Sequence, residues 1–211
     1  MRFNISLLII YDYFQIINLK QNNMKQIYLT LMLVAFAALQ AMADSKLESG
    51  SLIPLKDSEV RMLVTWDYSK MLIEDKTVED FLKEKGADWQ RDYSAEVGAC
   101  EAAFEVYFNK ENKKYALITE DDLSAQYEMI IHVSELHYGS TATAVIFGGF
   151  SRGAHIKGNA EVVRLSDKET IANISFDCSG AAAIGNEARR TLAYYDLAKD
   201  LAKSIKKAKN K

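Results

Sequence analysis

Two hydrophobic periods divide the chain. In "QYEMIIHVSELHYG", Tyr127, Met129, Ile131 and Val133 share one face of an extended segment, while Glu128, His132 and Ser134 share the other. The same period of two runs through "HIKGNAEVVRL" and through "ETIANISFDCSG". There Ala172, Ile174, Phe176 and Cys178 alternate with Asn173, Ser175 and Asp177. Alternation of this kind marks half-buried strands. "EVRMLVTWDYS", "KYALIT" and "TATAVIFGG" add shorter strand candidates, and "SDKE" at 166–169 suits a four-residue hairpin connection. A helical period replaces it in two places. Val97, Cys100, Phe104 and Phe108 follow one another at spacings of three and four, with Tyr93 one turn earlier. Near the C-terminus Tyr194, Leu197, Ala198, Leu201 and Ile205 form an apolar stripe, opposite Asp196, Lys199, Asp200, Lys203 and Lys206. Thr77 and Asp80 open a short helix that Gly86 ends.

Strands gathered together with helices at both ends predict an α+β fold. The expected architecture is a mixed, mainly antiparallel sheet of about five to six strands with helices on one face and a C-terminal amphipathic helix.

The start of the chain follows another pattern. From Met24, "MKQIYLTLMLVAFAALQAMADS" has a lysine, an apolar run and Ala41-Met42-Ala43. That is the layout of a signal peptide, with cleavage expected between Ala43 and Asp44. The run is too short for a comfortable membrane span, which takes roughly 20 residues. Residues 1–23 read as an over-extended start or an extra apolar segment, and the sequence leaves open whether Met1 or Met24 is the start. Residues 44–57, broken by Gly50 and Pro54, read as a leader, and 58–208 as a single globular domain. A periplasmic or secreted location is the expectation.

Composition narrows the partners. Leaving out Arg2, Lys20, Lys25 and Asp12 brings 26 basic and 29 acidic residues to 23 and 28, a net charge of −5 with histidine neutral. An acidic surface disfavours nucleic acid and anionic lipid. No stable membrane span is expected after cleavage.

Candidate chemistry is sparse. Gly148 and Gly153 have the glycine spacing of a phosphate-binding loop, but Ala154 and His155 stand where lysine and a hydroxyl residue are needed. A strand rather than a helix follows, so no helix N-terminus faces the anion. The stretch reads as a glycine-rich break, with Gly149, Arg152 and His155 as an interaction loop. His132 and His137 stand five apart in one strand and are expected on opposite faces, so they cannot share a metal. Glu135 and His137 share a face, but zinc wants three or four ligands. Glu120, Asp121 and Asp122 read as a solvated turn, and Trp66 and Trp89 as core. No G-x-S-x-G elbow exposes a serine. Cys100 and Cys178 both point inward, as inert thiols do. A disulfide between them and two separately buried thiols are equally consistent with that placement.

The second half resembles an uncharacterised family of bacterial envelope and secreted domains. The resemblance rests on "QYEMIIHVSELHYG", the turn "VVRLSDKETI", the strand end "SG" and the helix "DLAKDLAKSI". The family is similar to the domain-of-unknown-function family 4410 and distantly like the periplasmic domain of curli-secretion lipoproteins. The resemblance covers roughly residues 125–207 and implies a sheet-and-helix domain. It supplies no catalytic residues, and no lipid-anchoring cysteine stands near Ala43. The expectation is a non-catalytic domain, with no cofactor or metal, acting by contact with an envelope protein the sequence does not identify. The alternative is a small periplasmic ligand-binding protein or hydrolase using the Glu128/His132 strand face.

Overall fold

The computed structural model describes residues 45–139, 153–180 and 185–209. The described chain runs β1 (Lys46–Gly50), a 3-10 turn (Ile53–Leu55), β2 (Arg61–Asp67), β3 (Leu72–Ile73), β4 (Lys76–Thr77) and α1 (Val78–Lys85). It continues with α2 (Ala87–Glu111), β5 (Leu117–Ile118), β6 (Tyr127–His137), β7 (His155–Arg164), β8 (Thr170–Ser179) and α3 (Asn186–Lys207). The signal segment with Ala43 and Asp44, the strand expected in "TATAVIFGG", and Gly149 and Arg152 lie outside the described residues.

The fold is α+β, but the sheet differs from expectation: among the described residues it has eight strands and is mixed, in the order β1-β8-β7-β6-β2-β5, with β3 paired to β6 and β4 paired to β3. The run β6-β7-β8-β1 is antiparallel throughout, and β3 pairs antiparallel with β4. Strand β2 lies parallel to both β5 and β6. The cause is the pair of helices between them, since a helical crossover returns the chain in its original direction whereas a hairpin reverses it. Strands β3, β4 and β5 hold two residues each, too few to register as a period.

The expected leader is also part of the fold. Lys46–Gly50 pairs with β8 as an edge strand, and Leu52 and Leu55 are buried. All of β1 is exposed, which is why hydrophobicity did not mark it.

The buried sides of β6, β7 and β8 face α2 and α3. Met129, Ile131, Val133, Ile156, Val162, Ile174 and Phe176 meet Phe104 and Phe108 from α2 and Tyr194, Leu197, Leu201 and Ile205 from α3 in one core. Burying each such side chain contributes roughly 1.5–3 kcal/mol. Trp66 meets Phe104 edge-on at 5.1 Å and tilts over Tyr194 at 5.0 Å. Trp89 stands edge-on to Phe81 and Tyr138, so both tryptophans are partly buried and pack against the core.

Helix α3 carries two surprises. Asp200, expected to face water, is buried and accepts from the Cys178 thiol at 3.7 Å. Arg189 and Arg190 are buried as well. The Arg190 guanidinium lies between the rings of Tyr93 and Tyr138, 5.0 Å from each, and 3.5 Å from Glu96.

The cysteines are free, so the two-thiol alternative holds and the disulfide does not form. Cys100 meets Thr191 at 3.7 Å, whereas Cys178 meets Asp200. Those α3 partners are nine positions apart, about 13 Å along a helix. A disulfide tolerates a Cα separation of no more than about 7 Å. Burial raises both thiol pKa values, and the neighbouring Asp200 charge pushes Cys178 further up.

Candidate functional site

With the helices on one face of the sheet, the other carries the polar half of every alternating strand. Pairing sets these side chains in rows across the strands. Asp67 stands opposite His132, His132 opposite Asn159, and Asn159 opposite Ser175. The neighbouring row runs Thr65, Ile130, Glu161 and Asn173. Toward the far end of β6, Glu135 stands opposite Lys157 and His137 opposite His155.

His137 reaches this face because β6 is bulged. Val133 pairs with Gly158 and Glu135 with Lys157, so Ser134 is an extra residue and the alternation resets. Buried positions then run Met129, Ile131, Val133 and Leu136. The expectation that His132 and His137 face opposite sides therefore fails: both point outward, as does His155. Bulges re-aim side chains in this way. Gly158 makes room for it, because a Cβ there would lie 2.0 Å from the His132 carbonyl oxygen.

Each histidine has a carboxylate partner. His132 donates from Nδ1 to Asp67 at 2.8 Å, and its Nε2 lies 3.9 Å from Glu161. His137 donates from Nδ1 to Glu74 at 3.4 Å, and its Nε2 lies 3.9 Å from Glu135. His155 donates from Nε2 to Asp177. The rings of His137 and His155 stack at 6.0 Å, and Lys157 donates to Glu135 at 3.1 Å. Glu74 also accepts from the Tyr138 N–H at 2.6 Å, which pins the β3–β4 turn to the end of β6. The Asp67 carboxyl is held well below the usual range, first by the Ser69 hydroxyl, then by the Ser69 N–H, then by His132.

A shallow depression of about 340 Å³ opens beside His132, lined by Asp67, Lys70, Val133, Ser134 and Asn159. Asp67 fixes the His132 tautomer and leaves Nε2 for a proton or a ligand. The Ser134 hydroxyl donates to the Lys157 carbonyl at 3.1 Å, so it is not directed at His132. Glu128, expected to work with His132, accepts from Thr65 at 2.6 Å instead.

Of the expected interaction loop, His155 is described, and it opens β7 rather than sitting in a loop. Gly153 is buried, and its N–H donates to the Gly180 carbonyl at 3.1 Å, extending the β7–β8 ladder. Sequence reasoning missed Asp67, Glu74, Glu161 and Asp177 as histidine partners. The outward parity of Asp177 was legible, but its pairing with His155 depends on strand register. Among the described residues no three His, Cys, Asp or Glu side chains converge as a ready metal cage, and no helix is long and apolar enough to cross a membrane.

No protein-family model matches the chain, and no curated protein matches it. Among solved structures it is similar to PelC dodecamers from Paraburkholderia phytofirmans. A variant in space group C2 shares 12% identity at a TM-score of 0.42, covering 76% of this chain and 98% of that one. A second PelC dodecamer, in space group P6, shares 12% identity at a TM-score of 0.41, covering 76% and 97%. Protein XCC0632 from Xanthomonas campestris, of the uncharacterised family DUF330, shares 14% at 0.36, covering 70% and 83%. Likenesses of this strength carry no argument about chemistry, assembly or partner. The resemblance to family 4410 and to curli-secretion lipoproteins has no family-model match behind it.

Proposed function

We propose that the chain is a secreted or periplasmic, non-catalytic domain that binds an envelope protein through the polar face of its sheet. The observation that carries this reading is the row structure of that face. Strands β2, β6, β7 and β8 present Asp67, His132, Asn159 and Ser175 side by side on the side away from α2 and α3. An open, polar sheet face is suited to a broad protein contact, whereas a small substrate calls for a concave pocket. The signal-like segment from Met24 and the envelope-family resemblance of residues 125–207 point to the same compartment. Two buried thiols with raised pKa values support a role without cysteine chemistry.

The test is site-specific photo-crosslinking in envelope preparations, with the probe at Asn159 or Ser175 on the sheet face, or at Val106 on the exposed side of α2. The reading expects one discrete adduct from the two sheet positions and none from Val106. It also expects Thr65→Arg to abolish that adduct. Crosslinking from Val106 alone would overturn it.

A second reading, a small ligand-binding protein or hydrolase, is favoured by one observation: the Asp67–His132 pair beside a depression that also holds Lys70 and Asn159. Turnover or saturable binding of a small carboxylate, ester or phosphate compound, lost in His132→Ala, would select this reading over the first.

A further inference from the structure

The geometry points to a zinc site on the outer sheet face, formed by His137 Nε2, His155 Nδ1 and the Glu135 carboxylate. It does not depend on whether that face also binds a protein. Three features of the cluster carry it.

The first is convergence. Strand pairing sets His137 directly opposite His155, and the bulge turns Glu135 and His137 to the same side. The Glu135 carboxylate lies 3.9 Å from His137 Nε2. A tetrahedral zinc with ligand bonds near 2.1 Å places a bound nitrogen and oxygen about 3.4 Å apart. Two imidazoles on one such ion have ring centres about 5 Å apart by the same bond lengths; here they are 6.0 Å apart. As they stand each group bonds to a residue outside the set, His137 to Glu74, His155 to Asp177 and Glu135 to Lys157, and the three do not close on a single point. Small side-chain rotations at this part-exposed surface complete the set.

The second is the choice of nitrogen. His137 commits Nδ1 to Glu74, which leaves the Nε2 lone pair on the side of Glu135. His155 commits Nε2 to Asp177, which leaves Nδ1. Metal-ligating histidines characteristically donate their other ring N–H to a carboxylate. The third is that the carboxylate ligand is itself oriented, since Lys157 donates to Glu135 at 3.1 Å. Each of the three ligands thus has an outer partner of the kind that fixes metal ligands.

His132 provides an internal control. It has the same Nδ1-to-carboxylate arrangement with Asp67, but Asn159, not a second imidazole, stands opposite it. Two imidazoles and a carboxylate, with water in the fourth position, suit zinc, and neutral imidazole is required.

The experiment is titration of the full chain, purified without a histidine tag and stripped of metal, with zinc chloride, read by calorimetry. Histidine ring resonances are followed in parallel by NMR. The expected result is one saturable site per chain, with the His137 and His155 rings shifted and His132 not. His137→Ala and His155→Ala each weaken binding by about tenfold or more, while His132→Ala leaves it unchanged. Glu74→Gln weakens binding by about tenfold through the outer partner. Thermal melts show that each variant is folded. Absence of saturable binding, equal binding in the His137/His155 double variant, or an equal loss in His132→Ala each overturns the site.

Discussion

Replacing Gly158 with alanine tests whether the bulge in β6 is built by close backbone approach. An added Cβ would meet the His132 carbonyl oxygen at 2.0 Å and the Phe176 ring at 2.8 Å. The ring can swing aside, but the carbonyl belongs to the bulged strand and moves only if the bulge moves. Overpacking of this kind costs about 1–3 kcal/mol, and a backbone clash belongs at the upper end. Alanine restricts the unfolded chain, which offsets about 0.4–1 kcal/mol. The net loss is about 2 kcal/mol. In urea, with a slope of about 2 kcal/mol/M, the midpoint falls by about 1 M; the melting temperature falls by about 4–8 °C. Gly98→Ala is the control, because nothing lies within 4 Å of a Cβ there and the residue is exposed on α2. That change should stabilise by up to about 1 kcal/mol. If Gly158→Ala shifts the midpoint by less than about 0.2 M, or raises it, the account of the bulge is refuted.

Three further outcomes follow from the packing. Ellman's reagent should label neither cysteine in the native chain and both in denaturant, with or without prior reduction; dependence on reductant would restore the disulfide. Asp67 has a folded pKa below its unfolded value, so its contribution is complete above about pH 4 and is lost as pH falls through the folded value. Asp67→Asn should therefore flatten the acid limb of a stability–pH profile, and an unchanged limb would remove that role. Arg190→Met should cost little or even stabilise, while Glu96→Gln should cost roughly 3 kcal/mol by leaving a buried guanidinium without its carboxylate. The reverse order in denaturant melts would show that the ring sandwich, not the ion pair, is the stabilising element.

The sequence was informative wherever packing imposes a period. The inward faces of β6 and β8 and the apolar stripes of α2 and α3 are where alternation and helical spacing put them. It was uninformative where structure comes from pairing alone. Strand β1 buries nothing, so no hydrophobic pattern marks it, and the parallel seam between β2 and β6 is a choice of topology. The candidate site failed at one residue: alternation counted through Ser134 sends His137 inward, whereas the bulge sends it out. The only sequence sign of that bulge is Gly158, on the neighbouring strand. Asp200 reads as solvent-facing from its place opposite the apolar stripe, and no pattern marks Arg189 or Arg190; only the three-dimensional neighbours reveal that all three are inside.

The place of β1 bears on the order in which the fold can close. Asn173 and Ser49 touch although they stand 124 positions apart in the sequence, so the first described strand to leave a ribosome or a translocation pore waits for nearly the last. Meanwhile β6, β7 and β8 can pair among themselves over short separations, and local pairings form faster than distant ones. Until β8 emerges, Leu52 and Leu55 have no finished sheet beneath them. A chain delivered N-terminus first would thus carry an unpaired edge and two uncovered leucines through most of its passage, and only the arrival of its final quarter lets the domain lock.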